Sequence, residues 1–197
     1  MSSNGSSETR TKILTAARAM FEEFGYNGAG LAEVAKRAGV SRQAIYLHFA
    51  SKAELLTALH LHVYETDVVP TMARHLPADD SALAALDACI DADVEIADRV
   101  WRVHEALTTA RRQHPEVDET IRPREQDRYA ELIALTTRLG EADLLPATVG
   151  PADAADSLWA LVNLGTYRAL VRERGWSLER YARWVRTTIH RELGLGG

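Results

Sequence analysis

The chain has 197 residues, 46% of them hydrophobic and 26% charged, with a formal net charge of −5 at pH 7. That apolar content suffices for one large domain, or for a small domain attached to a medium one. A single cysteine, Cys89, excludes an intrachain disulfide and a cysteine-rich zinc module. The leading MSSNGSSETR is polar throughout, and no apolar run reaches about 18 residues, so a cytoplasmic protein with no membrane partner is expected.

Ala, Leu, Arg and Glu recur at helical spacing, while alternating β-branched segments with hairpin turns are missing, and the fold class read from this is all-α. Ile13, Leu14, Ala17, Met20, Phe21 and Phe24 predict a first helix over 8–24, with Gly25 ending it. A second helix takes 31–38 and stops at Gly39; Ser41 caps a third. Ser51 and Glu54 form a capping-box pattern at the start of a fourth, which runs towards Val69 until Pro70 kinks or ends it. Leu83, Leu86, Ile90 and Val94 give a stripe over 81–97, and Val100, Val103, Leu107 and Ala110 give another that stops before Pro115. A turn at 116–121 precedes Pro123, which begins or kinks a helix finishing near Gly140. Two final helices are expected over 151–174, opened by Pro151 and closed by Gly175, and 177–193, capped by Ser177 and closed by Gly194.

The most specific pattern lies at 31–56, where two short helices joined by a sharp turn are followed by a capped third. Leu31, Val34, Ala35, Ala38, Val40, Ile45 and Phe49 can be buried together, which leaves Arg42, Gln43, Tyr46, His48 and Lys52 to face a partner. Seven basic side chains against five acidic ones in residues 1–55 give this end +2, so the rest of the chain carries −7. A polyanion contact therefore belongs at the N-terminal end. Ser41 can offer phosphate its hydroxyl or its backbone N–H. Arg42 and Gln43, in the first turn, can bond guanine and adenine bidentately, and Tyr46 shares the face of Arg42. His48 and Lys52 extend the surface. Each residue alone is also compatible with an ordinary solvated or packing role; the set behind a Gly-Val-Ser turn is not.

The segment AEVAKRAGVSRQAIYLHFASKAELL resembles the N-terminal domain of TetR-family transcriptional regulators in its GVS turn, its Tyr-x-His-Phe step and its Ser-Lys-x-x-Leu-Leu helix start. The match covers about residues 8–56. The resemblance implies a homodimer with a three-helix reader domain at 1–52 and a larger helical domain at 53–197 that binds an effector and dimerises. It also implies a palindromic double-stranded operator, released when a small molecule binds, and DNA contacts from Ser41, Arg42, Gln43, Tyr46, His48 and Lys52. One departure stands out: where many relatives carry Thr near the start of helix two, this chain has Ala29-Gly30-Leu31, so a backbone N–H or Arg10 must replace a hydroxyl contact to phosphate.

Candidate polar groups for an effector pocket are Cys89 with Asp93, Trp101 with His104, Tyr129, and Trp159 with Asn163, paired at helical spacing. Core packing explains any one of them equally well. His60 and His62, two apart, point in different directions, so no metal is expected. There is no HExxH, phosphate-binding glycine loop or GxSxG elbow, hence no enzyme and no cofactor. The last two helices carry apolar sets wide enough to pair with two-fold mates, Gly165 and Ala169 allowing close approach. The leading expectation is a ligand-responsive DNA-binding repressor. The alternatives are a ligand-binding or scaffolding protein whose reader no longer binds DNA, and a small enzyme working through His104 and Asp93.

Overall fold

The computed structural model describes residues 3–77 and 79–195, and among them there is helix but no strand. In chain order the helices are α1 (Ser3–Gly28), α2 (Leu31–Ala38), α3 (Arg42–His48) and α4 (Lys52–Val63). A π-helical stretch (Tyr64–Val68) leads into α5 (Val69–Arg74), followed by α6 (Ala82–Arg111), α7 (Pro115–Glu141), α8 (Pro151–Leu161) and α9 (Leu164–Tyr167). A second π-helical stretch (Arg168–Glu173) precedes α10 (Leu178–Glu192).

Two compact units emerge. One holds the described residues up to Thr66 together with Arg102–Arg122; the other holds Asp67–Trp101 and the chain from Pro123 onward. A sequential division at 52/53 is thus not the one the contacts draw. All of α4 lies in the first unit, because Leu55, Leu56 and Leu59 are fully buried and α4 packs on α1. The segment 102–122 joins that unit through Arg102, whose Nη1 donates to the Glu22 carbonyl at 2.8 Å. His114 adds an edge-on ring contact with Tyr26 at 5.7 Å.

In the first unit α1 packs on α2 and α4, and α2 on α3, around Ile13, Leu14, Phe21, Val34, Ile45 and Phe49. α1 begins earlier than the apolar pattern suggested, at Ser3, and its axis breaks at Gly25, whose φ of +66° lies in the left-handed region. Phe24, expected on the buried stripe, is 50% exposed. α2 ends at Gly39 (φ +68°); the Val40 N–H bonds to Ala35 O at 3.0 Å and the Gly39 N–H to Lys36 O at 3.2 Å. Those two bonds define a Schellman turn.

The second unit is built on Leu86, Ile90, Leu132, Leu139, Leu158, Tyr167, Tyr181, Val185 and Ile189, with α10 packed on α8. Three expectations need correction there and in the linking helices. The two stripes at 81–97 and 100–110 form the single helix α6, since no Gly or Pro intervenes and the apolar phase continues from Ala97 to Val103. Pro123 sits inside α7; the carbonyl it leaves without a partner belongs to Glu119, an exposed residue, where water can bond it. Conversely, 151–174 is not one helix. It breaks at Val162–Asn163, and Asn163 caps α9 by accepting the Thr166 N–H at 2.9 Å. A Cβ on Gly165 would lie 2.9 Å from Asn163 Oδ1, so this glycine leaves room for the cap itself.

The start of α4 carries its own clamp: Ser51 Oγ accepts the Glu54 N–H at 3.0 Å, while the Glu54 carboxylate accepts the Ala50 N–H at 2.7 Å. Replacing Ser51 by Ala removes one acceptor from an otherwise unpaired helix N–H and should cost about 1 kcal/mol. The urea midpoint of the full chain should fall accordingly, and an unchanged midpoint would show that the cap contributes nothing.

Candidate nucleic-acid interface and effector residues

α3 is held at both ends. Ser41 accepts the Ala44 N–H at 3.0 Å, and beyond the helix Phe49 is buried. Ile45 is completely buried, while Arg42, Gln43 and Tyr46 are left exposed. Arg42 lies 5.8 Å from the Tyr46 ring centroid and its Nη2 reaches the Tyr46 hydroxyl at 3.5 Å, so the shared face read from their spacing is present. The Ser41 hydroxyl keeps its proton to donate, since the cap uses it only as an acceptor.

His48 is half-buried beside Phe49, with ring centroids 6.2 Å apart. Lys52 is placed differently from the sequence expectation of a side chain free to face a partner. Its ammonium donates to the Tyr26 carbonyl at 2.8 Å and stands 4.4 Å from the Tyr26 ring. Burial there lowers its pKa below the ordinary lysine value. Two ammonium protons remain, so a phosphate contact stays geometrically open. Arg10 stacks over Phe49 at 5.5 Å, close to the end of α3. Gly30 is the N-cap of α2 with extended backbone and no side-chain cap, and a Cβ added to it would meet nothing within 4 Å. Leu47, absent from the residues expected to matter, is 80% exposed on this helix.

The seven effector candidates separate into groups. Cys89 and Asp93 do share a face, with Sγ 3.6 Å from Oδ2. A residue that no sequence pattern pointed to joins them: Arg128 Nη2 donates to Asp93 Oδ2 at 2.5 Å and to Cys89 Sγ at 3.2 Å. Nothing in the spacing of α7 marks Arg128 out, because Asp93 and Cys89 are 35 and 39 residues away; on α7 itself its Nη1 donates to Glu131 Oε2 at 3.1 Å. Burial raises the Asp93 carboxyl pKa while the guanidinium opposes it. Burial and the neighbouring Asp93 charge push the Cys89 thiol up to about 12.

Tyr129 meets Trp159 edge-on at 5.9 Å and donates to Asp156 Oδ1 at 2.6 Å. Trp101 carries the Arg172 guanidinium 4.5 Å above its ring. Asn163 is committed to capping α9, its amide donating to Ala160 O at 2.6 Å, which takes it out of phase with Trp159. His104 belongs to the first compact unit, the other six to the second. Among the described residues no three His, Cys, Asp or Glu side chains group as metal ligands, and no helix is long and apolar enough to cross a membrane.

A capped reader helix standing off a Schellman turn defines a helix-turn-helix protein. Residues 13–59 match the family model described as bacterial regulatory proteins, tetR family. The HTH-type transcriptional regulator CymR of Pseudomonas putida is 32% identical over 188 residues, covering 92% of this chain and 88% of that protein. The HTH-type transcriptional activator FasR of Mycolicibacterium smegmatis is 49% identical over 57 residues, 28% of this chain and 26% of its own length. The chain thus spans about a quarter of FasR, and 39% of the regulator SrpR of Pseudomonas putida. A crystal structure of a transcriptional regulator from Saccharomonospora viridis in complex with choline shares the fold, with a TM-score of 0.81 at 19% identity over 93% of this chain and 96% of that one. The chain belongs to the tetR family of bacterial regulatory proteins.

The thiol pKa gives a direct check. A rise from 9.0 to about 12 leaves about a thousandfold less thiolate at pH 8. In the folded protein Cys89 should react with a disulfide reagent at least about a hundredfold more slowly than in urea. Equal rates would show that the Asp93–Arg128 surroundings do not desolvate it.

Proposed function

We propose that this protein is a ligand-responsive, DNA-binding transcriptional regulator, acting as a cytoplasmic homodimeric repressor that a small molecule releases from a palindromic operator. The observation that carries the reading is α3: capped at Ser41, anchored by fully buried Ile45, and exposing Arg42, Gln43 and Tyr46 together. Similarity to CymR along 92% of the chain supports extending it beyond the reader. Arg42 and Gln43 supply base readout, while Ser41, Tyr46, His48 and Lys52 position the helix on phosphate. Cys89, Asp93 and Arg128 form the polar end of the effector site, with Tyr129, Trp159 and Trp101 as aromatic candidates around it. The outer faces of α8 and α10 pair with their two-fold mates. A chain that sediments as a monomer at micromolar concentration would contradict that pairing.

Gly30 favours one competing reading, a reader that has lost DNA, because α2 presents no hydroxyl at its start. Selection of binding sites from random duplex DNA by the full-length dimer decides between them. The regulator enriches a palindrome whose affinity falls steeply with salt as counterions are released. No enriched sequence from a folded dimer would overturn the reading. On the enriched site, Arg42→Ala or Gln43→Ala should relax preference at single positions, and Lys52→Ala should weaken all sites alike. Gly30→Ser, sterically free, should tighten binding about two- to tenfold per reader through one added hydrogen bond to phosphate. Unchanged or weaker binding would place Gly30 away from the backbone.

A further inference from the structure

Leu47 has no role in holding this chain together. It follows buried Ile45 by two residues, about 200° around the helix, and at 80% it is the most exposed large hydrophobic side chain among the described residues. One exposed leucine on a protein surface needs no explanation in general. Its position here does: it lies four residues after Gln43, on the same side of α3, and next to Tyr46, which is itself 46% exposed.

Every other exposed side chain of that face can form a hydrogen bond with phosphate or with a base edge. Leucine can do neither. In the major groove of B-DNA the base edges offer hydrogen-bonding groups and one apolar one, the 5-methyl of thymine. If α3 enters that groove, the apolar partner open to Leu47 is this methyl. Gln43 and Leu47 are about 6 Å apart along the helix axis, less than two steps of about 3.4 Å per base pair.

We infer that Leu47 is a specificity-determining residue that recognises the 5-methyl group of a thymine within two base pairs of the pair read by Gln43. The inference rests on the DNA-binding reading above, and it adds an apolar contact to a face otherwise polar. Its energetic origin is desolvation of two apolar groups against one another, so it discriminates thymine from uracil, which pairs identically and lacks only the methyl.

The test uses the full-length protein and the duplex it enriches from random DNA, with each thymine replaced singly by uracil. Wild-type protein should lose about fourfold in affinity per reader at one thymine of each half-site, the effect of one buried methyl-sized group. Leu47→Ala, with the melting temperature unchanged because the side chain is exposed, should bind the parent duplex more weakly and be indifferent to uracil there. At the remaining thymines the two proteins should respond alike. Leu47→Met, which keeps an apolar side chain of similar volume, should retain the discrimination. An enriched duplex whose affinity no uracil alters, or a Leu47→Ala protein that still discriminates, overturns the Leu47 assignment and leaves the regulator standing. A selection that enriches nothing overturns both.

Discussion

The turn between Ala38 and Arg42 is the constraint on which the reader depends. An α-helix leaves four carbonyls unpaired at its end, and in α2 two of them are taken by the N–H groups of Gly39 and Val40. That closure requires the left-handed φ of +68° at Gly39, a conformation costing a residue with a Cβ about 1 kcal/mol or more. Ser41 then starts α3 with its own cap. Nothing flexible separates the two helices. The direction of α3 is fixed by backbone hydrogen bonds on one side and by the burial of Ile45 and Phe49 on the other, so its outer side chains leave from a rigid base. A reading surface depends on such a base, since displacement of about 1 Å is enough to spoil a bidentate contact.

Lys52 shows a second use of the same economy. The residue expected as a free cation is tied to the Tyr26 carbonyl, next to Gly25, where the axis of α1 breaks. It closes the start of α4 onto the end of α1, while Ser51 and Glu54 satisfy the local N–H groups. Its positive charge is therefore structural, held against the carbonyl and ring of Tyr26.

The reader was legible in the sequence because its signals are short-range. Gly39, Ser41 and Ser51 act on backbone groups within about five residues, and the structure places each where its chemistry demands. Longer-range organisation was not. Two apolar stripes on α6 looked like two helices because the large apolar residues skip from Val94 to Val100, although the small Ala97 is buried between them and no breaker intervenes. Pro123 looked like a helix start, yet an exposed Glu119 carbonyl makes its missing donor tolerable. The break at Asn163 went the other way: a side chain competing for backbone N–H groups ends a run whose apolar periodicity continues through it. The attachment of 102–122 to the first unit depends on Arg102 reaching a carbonyl 80 residues away, which no local pattern records.

The Asp93–Arg128 pair belongs to the same class of hidden organisation, and its energetics bear on the second unit. The two side chains are 14% and 26% exposed, so both lose most of their hydration. Attraction between them offsets that loss only while both are present; an apolar pair of equal volume commonly does as well or better. Stability alone is thus a weak reason for a carboxylate, a guanidinium and a thiol to meet among the helices that also bury Ile90 and Tyr181. Removing either partner leaves the other charge buried and uncompensated, at a cost of about 3–5 kcal/mol. An ionic contact of this kind is maintained by both partners together across 35 residues of sequence, whereas the bonds that fix α3 are local to its own turn and cap.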